Sequence, residues 1–379
     1  MNSPRITASP TGALRELARS LRAEGRDIAD LTAGELATPT PPHIVEAAVA
    51  AARDPARHGY GSAAGDPALR DAVADWAGRS LGIAVDRTQV AITNGAKQAL
   101  HNALRTLSGH GDEVIVPAPY WVTFPEAVRL SGAVPVVAHP RQGNGLPDVA
   151  DLEAVRTGAT RAVIICSPHN PTGLVHDEAQ LEAIARWAAA HHIWIISDDT
   201  YRDLTFVRTR STPEFARTAG CDVVSIGSTS KSHAMTGWRT GWLIAPAEVT
   251  ATATAIQSHT TSNVGRVAQA AALAALTGPD VAARTSRRLV DLRDELVGIL
   301  QDAGIPIRPP QGAFYLFPSM PGTDRDDVAL ARTLLEDAGV AVVPGTAFGM
   351  PGHVRVSYAG APEAVADGVR RLATAMGSR

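Results

Sequence analysis

Between Val90 and Ile244 the chain alternates short, continuously apolar runs with longer stretches whose apolar positions recur every three or four residues. The runs Val90–Thr93, Glu113–Val116, Val134–Ala138, Ala162–Cys166, Trp194–Ser197, Val223–Gly227 and Trp242–Ile244 predict strands. Gly95–Leu107, Trp121–Ser131, Asp177–His191 and Glu248–Thr277 predict helices. Runs that are apolar throughout suit strands covered on both faces, and the alternation with helices predicts an α/β unit around a mostly parallel sheet. Functional groups are then expected at the carboxyl ends of the strands.

The flanks read differently. Ahead of the alternating region come a helix at Gly12–Glu24, a short strand at Asp27–Thr32, and helices at His43–Arg53 and Pro67–Ser80. After Gly278-Pro279 the pattern predicts a long helix, Pro279–Ala303, then strands at Ile307–Arg308, Gly312–Phe317, Val340–Val343 and His353–Tyr358. Helices Asp326–Ala338 and Pro362–Met376 complete that part. This predicts an N-terminal arm, 1–44, a large domain, 45–278, and a smaller α+β domain, 279–379.

Composition narrows the classes. The 379 residues are 45% hydrophobic and 19% charged with a net charge of −3, which excludes a disordered or fibrous chain and disfavours nucleic acid or an anionic membrane as partner. No apolar stretch is long enough to span a bilayer and the N-terminus lacks an apolar signal core, so a cytoplasmic location is expected. The two cysteines, Cys166 and Cys221, make neither a disulfide framework nor a zinc site. Of 35 Lys and Arg residues only two are lysines, Lys97 and Lys231. Chemistry that needs a side-chain amine therefore has two candidates.

Lys231 lies in Ser228-Thr229-Ser230-Lys231-Ser232-His233-Ala234-Met235-Thr236-Gly237-Trp238-Arg239, directly after a predicted strand. Hydroxyls and an arginine there suit a phosphate, and an amine beside Arg239 and shielded from water has a lowered pKa and can form a Schiff base. Thr93-Asn94-Gly95-Ala96-Lys97 joins a strand to a helix start, where small residues let the backbone approach an anion. Pro119-Tyr120-Trp121 concentrates aromatics, Ser167-Pro168-His169-Asn170-Pro171-Thr172-Gly173 is a rigid turn, and Asp198-Asp199-Thr200-Tyr201 puts two acids at a strand end. Arg355, in an alternating strand, could clamp a carboxylate. On residue types alone each segment also reads as an ordinary loop, turn, cap or surface charge.

Together these segments resemble the class I aminotransferases of fold type I, and most closely the bacterial aspartate and prephenate aminotransferase branch. The similarity runs from Leu31-Thr32-Ala33-Gly34-Glu35 to His353-Val354-Arg355-Val356-Ser357-Tyr358. It implies pyridoxal 5′-phosphate as cofactor, held as an internal aldimine by Lys231, which would also move the proton at the substrate Cα. Arg239 and Ser228 would bind the phosphate, with backbone groups of Gly95, Ala96 and Lys97. Trp121 would stack on the pyridine ring. Asn170 and Tyr201 would bond its 3′-oxygen, and Asp198 its nitrogen. Gly34, Trp121, Asn170 and Arg355 would contact the substrate, Arg355 through the α-carboxylate. Tyr60 would reach the phosphate of a neighbouring subunit, making a homodimer with shared sites.

The implied activity is amino-group transfer between an amino acid and a 2-oxo acid. Two alternatives share the fold: a lyase or decarboxylating enzyme acting on a modified amino acid, and a transcription regulator, for which the chain has no spare DNA-binding segment. Departures from the family pattern concern specificity. His169 stands where Asn is common, and Asp199-Thr200 where an acid and a branched residue are. Leu36-Ala37-Thr38 replaces a proline and an aromatic in the cover segment. Gln257–Val264 carries no arginine for a second carboxylate, and Arg266 falls beyond it. Poor activity on aspartate and glutamate is the resulting expectation.

Overall fold

The computed structural model describes residues 10–141, 145–320 and 326–377. Residues 1–9 of the arm and the last two of the chain lie outside that range, as does the Leu14 side chain of the first helix.

Among the described residues the strands are β1 (Ala29–Asp30), β2 (Val90–Thr93), β3 (Glu113–Pro117), β4 (Val134–Ala138), β5 (Thr160–Cys166), β6 (Trp194–Asp198), β7 (Val223–Ser228), β8 (Gly241–Ile244), β9 (Tyr315–Leu316), β10 (Val340–Ala341), β11 (Val343–Pro344) and β12 (Val354–Ser357). β2 to β8 form one seven-stranded sheet in the order β2-β8-β7-β6-β5-β3-β4. β8 runs antiparallel to both neighbours and the other pairings are parallel. The predicted mostly parallel α/β sheet is therefore observed.

The continuous apolar runs follow from burial on two faces. Val114, Val116, Ile164, Ile196, Val224 and Ile226 pack on one side with Leu100 and Leu104 of helix Ala96–Leu107. Ile115, Val163, Ile165 and Ile195 pack on the other with Leu181 and Ile184 of helix Glu178–Ala190. That second helix starts where Asp177 accepts the backbone N–H of Gln180 and Gln180 reciprocates, a capping box that satisfies two otherwise orphaned donors.

A second apolar core gathers Leu289, Leu296, Phe314, Leu316, Leu330, Val340, Val354, Val356 and Val369, with Leu31, Tyr201 and Leu204 joining from outside. Its sheet has the antiparallel order β11-β12-β9. The chain's start is tied to it, because β1 pairs in parallel with β10 and Ala18 and Ile28 pack against Leu335 and Ala341.

Five expectations need correction. Helix Glu248–Thr277 is two helices, Ala247–Thr260 and Arg266–Thr277. Ser262 between them is left-handed at φ 59°, and the Asn263 side chain accepts from the backbone of Gly61, so local polar bonding wins over helix continuation. The strand Asp27–Thr32 shrinks to β1, Gly312–Phe317 shrinks to β9, and Ile307–Arg308 forms no strand. The helix from Pro67 ends at Trp76 and continues as one π-type turn, Ala77–Leu81, closed by left-handed Gly82. Short helices Val149–Glu153 and Thr212–Thr218 were not predicted.

Candidate active site

The carboxyl ends of β2, β3, β5, β6 and β7 all open toward one cavity of about 440 Å³. Its walls include Gly34, Ala96, Lys97, Trp121, Asn170, Asp198, Tyr201, Ser228, Lys231, Arg239 and Arg355. Those residues span more than 300 positions of sequence and were all singled out from it.

Lys231 follows β7, and its Nζ donates to the carbonyl of Gly34 at 2.6 Å. Burial pushes its pKa down to about 8, helped by the Arg355 guanidinium and opposed by Glu35 and Asp198. At the end of β6, Asp198 is buried and accepts the Thr200 N–H at 3.1 Å. Burial raises its pKa, while the Thr200 bonds and Lys231 pull it back. Asp199 takes the opposite side of the strand end. Its carboxylate accepts Ser197 Oγ at 2.9 Å and Ser225 Oγ at 2.5 Å, and burial pushes its pKa up to about 7. Only Asp198 of the two faces the cavity.

Arg355 is 4% exposed. Nη1 donates to Asn170 Oδ1 at 3.1 Å and Nη2 to the Thr32 carbonyl at 3.0 Å. The guanidinium carbon lies 4.6 Å from the Tyr315 ring centroid and 5.0 Å from that of Phe348. Nε is buried with no partner. Among the described residues no carboxylate pairs with this cation, so a buried positive charge and an orphaned donor point at a missing anion.

At the other end of the cavity stands a second arginine, exposed to solvent and with no carboxylate partner among the described residues. Arg239, left-handed at φ 56°, donates from Nη1 to the Thr236 carbonyl and from Nη2 to that of Asn94. It arches over Gly95, where a Cβ would meet Nη2 at 2.6 Å. Gly95 itself sits at φ 77° immediately before helix Ala96–Leu107, so its lack of side chain serves both the turn and the arginine. Arg239, the helix start and the buried Ser228 hydroxyl surround a space suited to a phosphate.

Trp121 borders the cavity, edge-on to Phe124 at 5.6 Å. The Lys97 amine lies 5.1 Å from the centre of the Trp121 ring. Burial and Arg239 lower its pKa.

Several residues stand apart. Tyr60 is 92% exposed and does not line the cavity. His169 is buried, bonded through Nδ1 to Thr172 Oγ1 at 2.8 Å, and pushed down to about 3 by burial and His176, away from the cavity wall. Leu36 packs on the second core and the Ala37 N–H donates to Ala359, so the cover segment is anchored to the smaller sheet's unit. Arg266 packs along Gly61, donates to the Ala56 carbonyl and lies 3.7 Å from Asp66. Sequence reasoning missed Thr32, Thr200, Ser230, Thr236 and Tyr315 in the wall. Tyr315 was visible only as one position of the predicted strand Gly312–Phe317.

A family model described as aminotransferase class I and II matches residues 26–372. An aspartate aminotransferase of Streptomyces avermitilis is 43% identical, over 97% of this chain and 93% of its own. An aspartate/prephenate aminotransferase of Cereibacter sphaeroides is 39% identical, over 97% and 96%. Among solved structures, the aspartate aminotransferase from Thermus thermophilus with maleate superposes with a TM-score of 0.91 at 35% identity, covering 99% of this chain and all of that one.

Proposed function

This chain belongs to the aminotransferase class I and II family and is an aminotransferase, and from that premise we propose that it works with pyridoxal 5′-phosphate held by Lys231. The observation that carries the reading is the amine of Lys231, pushed down to about 8 in a cavity that Arg239 and Arg355 also line, neither paired with a carboxylate among the described residues. The residues present fit the group. Arg239, Ser228 and the backbone from Gly95 to Lys97 would take its phosphate. Trp121 would cover the ring, Asn170 and Tyr201 its hydroxyl-bearing side, and Asp198 its nitrogen.

When bound, the cofactor supplies an electron sink for charge developing at the substrate Cα. The chain supplies the rest. Arg355 binds the α-carboxylate, steered by Asn170 and the Thr32 carbonyl. Gly34 leaves room beside it. Lys231 Nζ takes the Cα proton and returns it, a task suited to an amine titrating near working pH. Asp198 holds a proton at the ring nitrogen.

We further propose that acidic amino acids are among the substrates, reversing the expectation drawn from the arginine missing between Gln257 and Val264. The Lys97 amine lines the cavity beside the Trp121 face, and no carboxylate among the described residues pairs with it. That makes a cation available to a second carboxylate, while the Lys97 backbone still serves the phosphate turn. The names of the relatives support the same class. Tyr60, projecting from the chain, supports a homodimer in which it serves the neighbouring site, and we place that dimer in the cytoplasm. The division at 278 is supported by the second core, drawn mostly from residues 289–376, whereas helix Pro42–Arg53 runs through the proposed boundary at 44.

Borohydride reduction of the purified protein incubated with pyridoxal phosphate, followed by peptide mapping, tests the assignment. Label on Lys231 is expected. Label on Lys97, or no label, would overturn it.

A further inference from the structure

One contact in the cavity has no part in that scheme. Tyr201 follows β6 in the large sheet, and Tyr315 opens β9 in the small one. Their hydroxyl oxygens are 2.7 Å apart across 114 residues of sequence. Both side chains are buried, and the rings meet edge-on with centroids 5.7 Å apart.

Tyr315 has little room to turn. Arg355 lies over its ring, Phe314 packs at 4.9 Å between centroids, and a Cβ on Gly34 would sit 3.1 Å from its hydroxyl. Arg355, Cys166 and Asp198 are the charged and titratable groups acting on the pair from neighbouring elements, with Lys231 beside Gly34. Burial pushes both phenols up, so both keep their protons.

A hydroxyl has one proton to give and can accept two. Two touching phenols therefore share one hydrogen bond and have one proton left for another acceptor. If Tyr315 gives its proton to Tyr201, the Tyr201 proton must go elsewhere, and the cavity is the space that both residues line.

We propose that Tyr315 is a positioning residue whose hydroxyl donates to Tyr201 and commits the Tyr201 proton to an oxygen of the bound ring. The proposal rests on the pyridoxal phosphate reading, in which that acceptor is the 3′-oxygen. It also makes the small sheet's unit a participant in the electronics of a group seated on the large one. A phenol that accepts a hydrogen bond is a stronger donor, so Tyr315 sharpens what Tyr201 does without touching the ring itself.

The test is the pH titration of the visible spectrum of the loaded protein, a property that does not depend on turnover. Wild type, Tyr315→Phe, Tyr201→Phe and the double variant are compared. Phe keeps the ring and removes only the hydroxyl. Tyr201→Phe should move the titration midpoint. Tyr315→Phe should move it in the same direction and by less, about half a pH unit to one unit, the size of one ordinary hydrogen bond. The double variant should match Tyr201→Phe alone, since Tyr315 acts only through Tyr201. Gly34→Ala, which presses a methyl against the Tyr315 hydroxyl, is a second route to the same shift should Tyr315→Phe fold poorly. An unchanged midpoint in Tyr315→Phe beside a shifted one in Tyr201→Phe would overturn the proposal alone, as would fully additive shifts. A wild-type protein that takes up no pyridoxal phosphate would overturn the cofactor reading first, and this proposal with it.

Discussion

Arg355→Ala removes a guanidinium that the fold buries and leaves without an acid partner, so its effect separates substrate binding from stability. In the wild type, Asn170 and the Thr32 carbonyl hold two of its nitrogens, and the unpartnered Nε shows that bonding capacity remains for a ligand. A carboxylate received there makes charge-assisted bonds worth about 1.5–3 kcal/mol each. Two such bonds amount to about 3–6 kcal/mol. At about 1.4 kcal/mol per factor of ten, kcat/KM should fall by roughly a hundred- to ten-thousand-fold. The fall should be similar for aspartate, alanine and phenylalanine, because all share the α-carboxylate. There is a second consequence. Arg355 is the largest charge pushing the Lys231 pKa down, so its removal should raise that pKa. Cofactor capture by the cofactor-free protein requires the neutral amine, and its pH midpoint should therefore move upward in the variant. Steady-state kinetics on the three substrates and stopped-flow capture at several pH values provide the measurements. A loss below tenfold, or one confined to aspartate, would refute the reasoning, because either would mean that Arg355 does not receive the group common to all substrates.

Asp198→Ala should fold, retain cofactor less tightly and lose at least a hundredfold in kcat, whereas Asp199→Asn, turned toward Ser197 and Ser225, should keep most activity and lose stability instead; kinetics and thermal melts distinguish the two. Lys97→Met should reduce kcat/KM for aspartate about tenfold or more relative to alanine, since an acidic side chain left unpaired in the cavity is costly, and equal losses would remove Lys97 from substrate recognition. Lys231 in the cofactor-free protein titrates in the folded state near 8, below the unfolded value of a lysine. Its folded pKa is depressed, so between these two values the unfolded chain binds more protons and stability should rise with pH, with the contribution lost as pH falls through 8; urea melts from pH 7.5 to 10.5 should show that slope weakened in Lys231→Met.

The large sheet was legible because its signal is local. Each strand is a short apolar run, and each strand end carries its reactive residue within a few positions, as with Asp198 after Ile196 or Lys231 after Ser228. What stayed hidden depends on remote partners. Ser262 breaks the helix predicted through it because Asn263 bonds to Gly61, a residue about two hundred positions earlier. Tyr315 enters the cavity wall only because β9 pairs with β12 and sets its ring beneath Arg355. The orientation of His169 was equally invisible: the sequence marks a departure in the turn, and only the bond to Thr172 and the residue's absence from the cavity wall show where the ring lies. Short elements fared worst, since β1 and β9 have two residues each and carry no periodicity.

The grip of Arg355 on Asn170 and on the Thr32 carbonyl bridges 185 and 323 residues of chain. During synthesis, the phosphate-binding half of the cavity can be complete while the strand bearing Arg355 is still inside the ribosome. The carboxylate-binding half cannot. A nascent or C-terminally clipped chain could therefore capture cofactor while being unable to seat an amino acid. The same separation applies to the mature molecule: a transient detachment of β12 dissolves the substrate site and leaves the Lys231 end of the cavity standing. Loss of turnover on mild denaturation should thus precede release of the cofactor, and the interval between the two reports how firmly the last hundred residues hold to the first thirty.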